Sequence, residues 1–444
     1  TDTTRGKAVK VRFRGAANSD DVLDFQVFMS PGDVWTAAVS QGADGVAQLV
    51  TGDNTCTVPA LTPGVHQSFI TDRLSATTMT PEAKANHTRE GYVEIFNMAD
   101  ITPGTALFSA IKHVNSVAPC SNVAAARTLL NTTATTDFAT EALAGAAGFD
   151  TPTGGLMGDW YIINVPQTTT FSGASTAVVA KDVAGGVSAR GNFVHFPQSN
   201  TVVAGGTVDA FTADPLLRGA APIVTPRNYD LPDMSTPYVT SAADPLAQAT
   251  QLTAALAVQS ITNQYANDAS ITAKTDWVFS MPTRRYSVAA NYAVPSTNAA
   301  YRVYTALGTN WFTAANTTVD AAGNICVNAD AQRFYNREEL TPGVTAPGPV
   351  FSPNVPGVPA VVRFCGEASV LAFADEGKSV LGASVARQNL LTNIYENGWG
   401  VITTTNGGAG LPILGSSFIK LSNPNVGAGV SGTYGITWPH RYTK

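Results

Sequence analysis

Along the first forty residues apolar and polar positions alternate with a period of two. In KAVKVRFRG, Val9, Val11 and Phe13 fall on one side and Lys10, Arg12 and Arg14 on the other, the pattern of a half-buried strand. The run AANSDD turns the chain, VLDFQVFM repeats the alternation through Leu23, Phe25, Val27 and Met29, and Ser30–Pro31–Gly32–Asp33 punctuates it before VWTAAV. Short strands joined by turns point to an antiparallel sheet packed on one side. The same grammar predicts strands at GYVEIFNM (91–98), DWYIINV (159–165), GNFVHF (191–196), DWVFSM (276–281), VVRFCG (361–366), WGVITT (399–404) and SSFIKLS (416–422). No period of fixed length recurs, which argues against a solenoid or propeller.

Two segments carry helical spacing. In 244–265, Asp244 can cap, Pro245 fits the first position, and Leu246, Ala249, Leu252 and Leu256 recur every three or four residues. The second is Asn122–Leu130, with a Thr/Ala-rich continuation to Gly148. Segments 200–243 and 341–360, rich in Pro, Gly and Thr, read as long connections. The expectation is a mainly β protein with an antiparallel β-sandwich core and helical and long-loop insertions. The parts are N-terminal sandwich strands over 1–120, a partly helical insertion with added strands over 121–243, a helix plus core strand over 244–285, and a β-rich region over 286–444 that completes the core.

Composition narrows the class. The 444 residues are 44% hydrophobic, so the chain has a core to bury, yet only 13% charged, about half the usual share. A surface of Thr, Asn, Ser and Gln repels its copies weakly, which permits self-association. The net charge of −6 and scattered Lys and Arg make nucleic acid an unsuitable partner. No apolar run reaches the length of a membrane helix, so a transmembrane chain is not expected. The opening TDTTRGKAVKV has neither an initiator Met nor an apolar leader, and the expectation is a processed or truncated start.

Cys56, Cys120, Cys326 and Cys365 are an even set without CxxC spacing, and four cysteines allow three pairings. Their division between the halves favours Cys56–Cys120 and Cys326–Cys365, which suits an oxidising, extracellular compartment.

Catalytic signatures are not evident: GxSxG, Walker A and HExxH are absent from the sequence, no GxGxxG follows a predicted strand, and Gly427-Ala-Gly-Val-Ser-Gly offers only a Gly-rich turn. His87, beside Arg89 and Glu90, has no nucleophile in sequence reach; His195 reads as a packed strand residue, His440 as the shield of a strand end, and His66 and His113 as loop residues. The acid pairs Asp20–Asp21, Glu338–Glu339 and Asp375–Glu376 are the glycosidase candidates, but neighbours in a strand point to opposite faces. Calcium is the one ion for which loop ligands are on offer, at Asp320 with Asn324 and at Asp53 with Asn54, against the plainer reading of Asp/Asn turns. No other cofactor is expected. Trp35, Trp160 and Trp277 belong to strand cores, whereas Trp311 and Trp399 near turns are the exposed aromatic candidates.

In order along the chain, KAVKVRFRGAANSDDVLDFQVFMSPGDVWTAAV, DNTCTVP, TREGYVEIFNMAD, TDWVFSMPTRRYSV and GTYGITWPHRYTK resemble a group of secreted, mostly proteobacterial cell-surface and surface-layer-type proteins. The resemblance runs from first strand to last and is thinner over 120–240 and 286–360. It implies export, an extracellular location at the surface of a Gram-negative bacterium, and no reaction; in such proteins a leader and a further strand precede the position of Thr1. The leading expectation is a non-enzymatic structural protein that polymerises with its own copies into a lattice or filament, in contact with an outer-membrane or glycan surface. The alternatives are a secreted adhesin or glycan-binding module and, behind it, a carbohydrate-active enzyme. Copies are expected to join through strand edges, with WGVITT, SSFIKLS and KAVKVRFRG as the open ones.

Overall fold

The computed structural model describes residues 2–71, 74, 79–120, 123, 145–150, 152–178, 245–290, 300–302, 311–313, 315–320, 322–339, 361–373, 379–390, 396–405, 407–427 and 430–444. The strand expected at 191–196 with His195, the cap Asp244, Asp375–Glu376, most of the helix expected from Asn122, and the segments 200–243 and 341–360 lie outside them. The described chain is mainly β and its sheets are antiparallel apart from one strand pair.

The first sheet has the strand order 56–58, Asp21–Met29, Gly6–Gly15, Gly91–Ile101, 149–150. Below it lies a three-stranded sheet of 38–41, 47–50 and 67–68. Val9, Val11, Leu23, Phe25 and Val27 meet Ala47, Leu49 and Phe69 between the two sheets, which is what the period-two pattern requires. Above one end of the first sheet lies the helix Ala106–Ile111, capped by Thr105. Its Leu107 and Ile111 join Ala8, Phe28, Met98 and the Cys56 side chain in a second core.

The other half of the chain forms a sandwich. One layer is 331–336, Asn397–Thr403, Ser260–Ala266, 441–443; the other is 387–389, Ala368–Phe373, Lys274–Ser280, Leu414–Gly427, Val430–Pro439. Trp277 fills the space between them, with its ring centroid 4.8 Å from Phe373, 5.9 Å from Phe334 and 5.6 Å from His440. Gly400 makes room for this cluster, since a Cβ there would run into the Phe334 ring and stand 3.1 Å from Trp277. Gly400→Ala is therefore expected to cost about 1–3 kcal/mol by overpacking. A calorimetric melting temperature equal to wild type would refute it.

Three expectations need correction. The helix Pro245–Leu256 stops short of 265, because the pattern changes to period two and Ser260–Ala266 pairs with Asn397–Thr403 as a strand. VWTAAV is irregular until Ala38, where a short strand to Gln41 begins. The strands expected as open edges are all interior: WGVITT lies between 331–336 and Ser260–Ala266, SSFIKLS between Lys274–Ser280 and Val430–Pro439, and KAVKVRFRG between Asp21–Met29 and Gly91–Ile101. Scarcity of charge on WGVITT and SSFIKLS goes with pairing on both sides, and a strand placed before Thr1 finds no open edge on Gly6–Gly15.

Candidate functional site

The densest chemistry lies where the first sheet meets the C-terminal sandwich. On the upper face of that sheet, Arg12 stands opposite Asp24 on one neighbouring strand and Glu94 on the other. Lys10 stands between Gln26 and Phe96, and Arg14 between Asp21 and Tyr92. These positions looked like a solvent face in sequence. Instead Lys10, Arg12 and Arg14 are at most 2% exposed and Asp24 is 3% exposed. The strand Gly6–Gly15 is covered on both sides.

Burial of so many charges demands partners, because an unpaired ion in this setting costs several kcal/mol. Lys10 Nζ lies 3.0 Å from Asp24 Oδ2, and Arg12 Nη2 approaches the same oxygen at 3.7 Å. From the sandwich, the turn after Pro282 inserts Arg284 and Arg285. Arg285 Nη2 donates to both Glu94 oxygens at 2.8 and 3.0 Å, and its Nη1 donates to the Tyr92 hydroxyl at 2.6 Å and the Pro282 carbonyl at 2.7 Å. Arg14 Nε donates to Glu94 from the other side at 3.3 Å. Arg284 pairs with the fully buried Glu367 at 2.8 Å. Burial raises the pKa of Glu367 and that of Asp24, and lowers that of Lys10, each against the opposing pull of its partners.

Backbone contacts hold the joint in register. Glu367 and Ala368 both donate to the Ala16 carbonyl, at 2.7 and 3.1 Å. Gly366 allows this approach with φ +77°, because a Cβ there would collide with the Ala16 oxygen. Glu90 accepts from the Ser384 and Val385 amides and the Ser384 hydroxyl. The ensemble is a polar joint between two cores, with its acids engaged by cations and amides. Sequence reasoning missed Glu94, Arg284, Arg285 and Glu367. The available signal was three cations on alternate strand positions and an Arg pair, in a chain holding only 26 Lys and Arg.

The cysteines pair as Cys56–Cys120 and Cys326–Cys365, the latter directly opposite each other on neighbouring strands. Asp320 lies close to both Cys326 and Cys365, whose sulfurs are committed to each other. Its carboxylate accepts from the Ala322 and Asn324 amides and the Asn324 side chain, so Asp320 and Asn324 close a turn of their own. Asp53 caps Thr55 through its amide and hydroxyl, Thr55 also reaches Asp33, and Asn54 lines a shallow pocket beside Cys56–Cys120. The two calcium candidates are thus far apart in the fold and locally satisfied as turns.

The histidines resolve individually. His440 is buried between Trp277 and Phe279, hydrogen-bonded to Asn263 and the Val278 carbonyl, and burial lowers its pKa to about 3. His87 is lowered by burial to about 4. His113 has Ser30 Oγ at 3.2 Å and Asp33 at 3.8 Å. Both approach the same ring nitrogen, so the three do not form a nucleophile–base–acid relay. Trp311 is buried, contrary to expectation, while Trp399 is 42% exposed and stacked on Tyr335 at 4.5 Å.

A second feature faces solvent. The hairpin Asp159–Asn164/Thr169–Ala174 lies on the outer face of the sandwich through Trp160 and Phe171, both against Phe418. Its alternate positions point away: Tyr161 is 70% exposed, Ile163 68%, and Val165 just beyond them 75%. Met157 and Ile95 flank its base, where Gly158 faces the Ile95 side chain. Compared with known proteins, the chain matches no family model, no curated protein and no solved structure.

Proposed function

We propose that this chain is a non-enzymatic structural subunit that associates with its own copies at the surface of a Gram-negative bacterium, as a lattice or filament. The observation that carries the reading is the outward face of the 159–174 hairpin. A strand that packs the half-buried Trp160 against Phe418 and presents Tyr161 and Ile163 to water, with Val165 exposed just beyond it, has apolar residues on both faces, which suits a middle layer. The low charge of the chain and its likeness to surface-layer-type proteins support the same reading. Among the described residues no helix is long and apolar enough to cross a membrane.

Electron microscopy and sedimentation of the purified chain test the proposal. Ordered arrays or fibres are expected, stable in molar NaCl because screening acts on charges and not on apolar contacts. Ile163→Lys should weaken association by roughly 10-fold or more, since burying an isoleucine is worth about 1.5–3 kcal/mol. Dispersed wild-type monomers at high concentration would overturn the proposal. A second reading, a glycan-binding adhesin, is favoured by the exposed Trp399 stacked on Tyr335, an apolar platform of the kind that packs against sugar rings. Monomers whose glycan binding is lost in Trp399→Ala would favour it.

A further inference from the structure

Two lysine–aspartate pairs are buried on the first sheet, one on each face of the strand Gly6–Gly15. Lys7 Nζ lies 2.6 Å from Asp100 Oδ1, and Thr153 Oγ1, the Gly154 carbonyl and the Thr153 carbonyl surround the same nitrogen at 3.0, 2.9 and 3.3 Å. Asp100 in turn accepts from the Thr153 amide and hydroxyl. Such a ring of oxygens suits an ammonium ion in a structural salt bridge.

Lys10 and Asp24 sit on adjacent strands of the same face, one register step apart, with Nζ 3.0 Å from Oδ2. Both side chains are at most 4% exposed, and Phe96 stands directly opposite Lys10. Asp24 Oδ1 is buried without a hydrogen-bond partner. We propose that Lys10 and Asp24 condense into an intramolecular isopeptide bond, a covalent tie between the first two long strands that forms as the face is covered. The inference is independent of how copies assemble.

The chemistry balances without an added reagent. The ammonium passes a proton across the 3.0 Å contact, leaving an amine beside a carboxylic acid. Burial favours that neutral pair, since desolvation pushes Lys10 down and Asp24 up. The Nζ lone pair adds to Cγ, forming the nitrogen–carbon bond. A second Nζ proton moves to the carboxyl hydroxyl, the carbon–oxygen bond breaks, and water leaves. The product is a secondary amide, and nothing is oxidised or reduced. Arg12, 3.7 Å from Oδ2, stabilises negative charge that develops on the carboxyl oxygens during addition. Holding amine and acid in contact supplies the effective concentration that such a condensation lacks in water.

Mass spectrometry of the reduced, alkylated full chain tests it. The expected mass is that of the sequence with its four cysteines alkylated, less one water. Trypsin should then yield a branched peptide joining residues 8–12 to residues 15–73, because an acylated Lys10 is not cleaved. Lys10→Arg and Asp24→Ala should each restore the full mass. The wild-type peptide map does not depend on those variants folding. A full wild-type mass with Lys10 open to amine labelling after denaturation overturns the proposal, and so does a water loss that maps to Lys7–Asp100 or elsewhere.

Discussion

Exchanging Arg285 for methionine is expected to lower the unfolding free energy by about 3 kcal/mol, the lower end of what breaking a buried ion pair costs. The lower end applies because Glu94 keeps Arg14 at 3.3 Å when its bidentate partner is gone. Tyr92 loses the 2.6 Å donor to its hydroxyl but keeps Ser19 at 2.8 Å. The loss comes from a carboxylate left in a dry joint, so removing that carboxylate as well should restore part of it. Arg285→Met with Glu94→Met is expected to recover at least half of the stability lost in the single variant. Urea denaturation of the two singles and the double, read by tryptophan fluorescence, gives the coupling directly. A single-variant loss below about 1 kcal/mol would place Arg285 among ordinary solvated ion pairs and contradict its burial.

Each disulfide should matter as much. Cys56–Cys120 spans 64 residues and Cys326–Cys365 spans 39. Loop-closure entropy then gives about 4 kcal/mol for each, nearly the same because the dependence on length is logarithmic. Replacing either pair by alanine should lower the unfolding free energy by that amount, read from denaturant titration, and replacing both should remove most of the roughly 5–15 kcal/mol typical of a folded protein. Two pairs of silent replacements would show that the sheets alone confine the chain. Non-reducing peptide mapping checks the connectivity separately.

The parts of the fold legible in sequence are those where one face of a strand is apolar. Val9, Val11, Phe25 and Val27 announce the lower face of the first sheet, and DWVFSM announces Trp277 at the centre of the sandwich. The cysteine pairing was legible because Cys56 and Cys120 belong to one core, whereas Cys326 and Cys365 are chain neighbours of Ile325, Val327 and Phe364 in another. The upper face was misread because period two reports only that two faces differ, not that one meets water. Lys10 and Arg12 satisfy the pattern of a solvated face while being enclosed. The helix Pro81–Arg89 carried a readable signal that went unused: Thr80 caps Ala83, Pro81 opens it and Glu82 lies in its first turn. Arg284 and Arg285 were illegible as a site because their partners lie some 80 and 190 positions away, respectively, and local pattern carries no information over such spans. Edge and interior strands were confused for the same reason.

The sandwich joins strands that lie far apart in the chain, and this sets the order in which it can become native. Ser260–Ala266 pairs with 441–443, and Lys274–Ser280 takes Leu414–Gly427 as a neighbour, so strands in the middle of both layers wait for residues 414–443 to be made. A ribosome delivers the first sheet and its partners long before it delivers those strands. During that interval Trp277, Phe279 and Tyr265 face layers that are still incomplete. Closing loops of well over a hundred residues is slow compared with hairpin formation. Nascent chains of this protein therefore carry an unfinished second half until residues 414–443 have emerged, a state that a chaperone must keep from sticking to its neighbours.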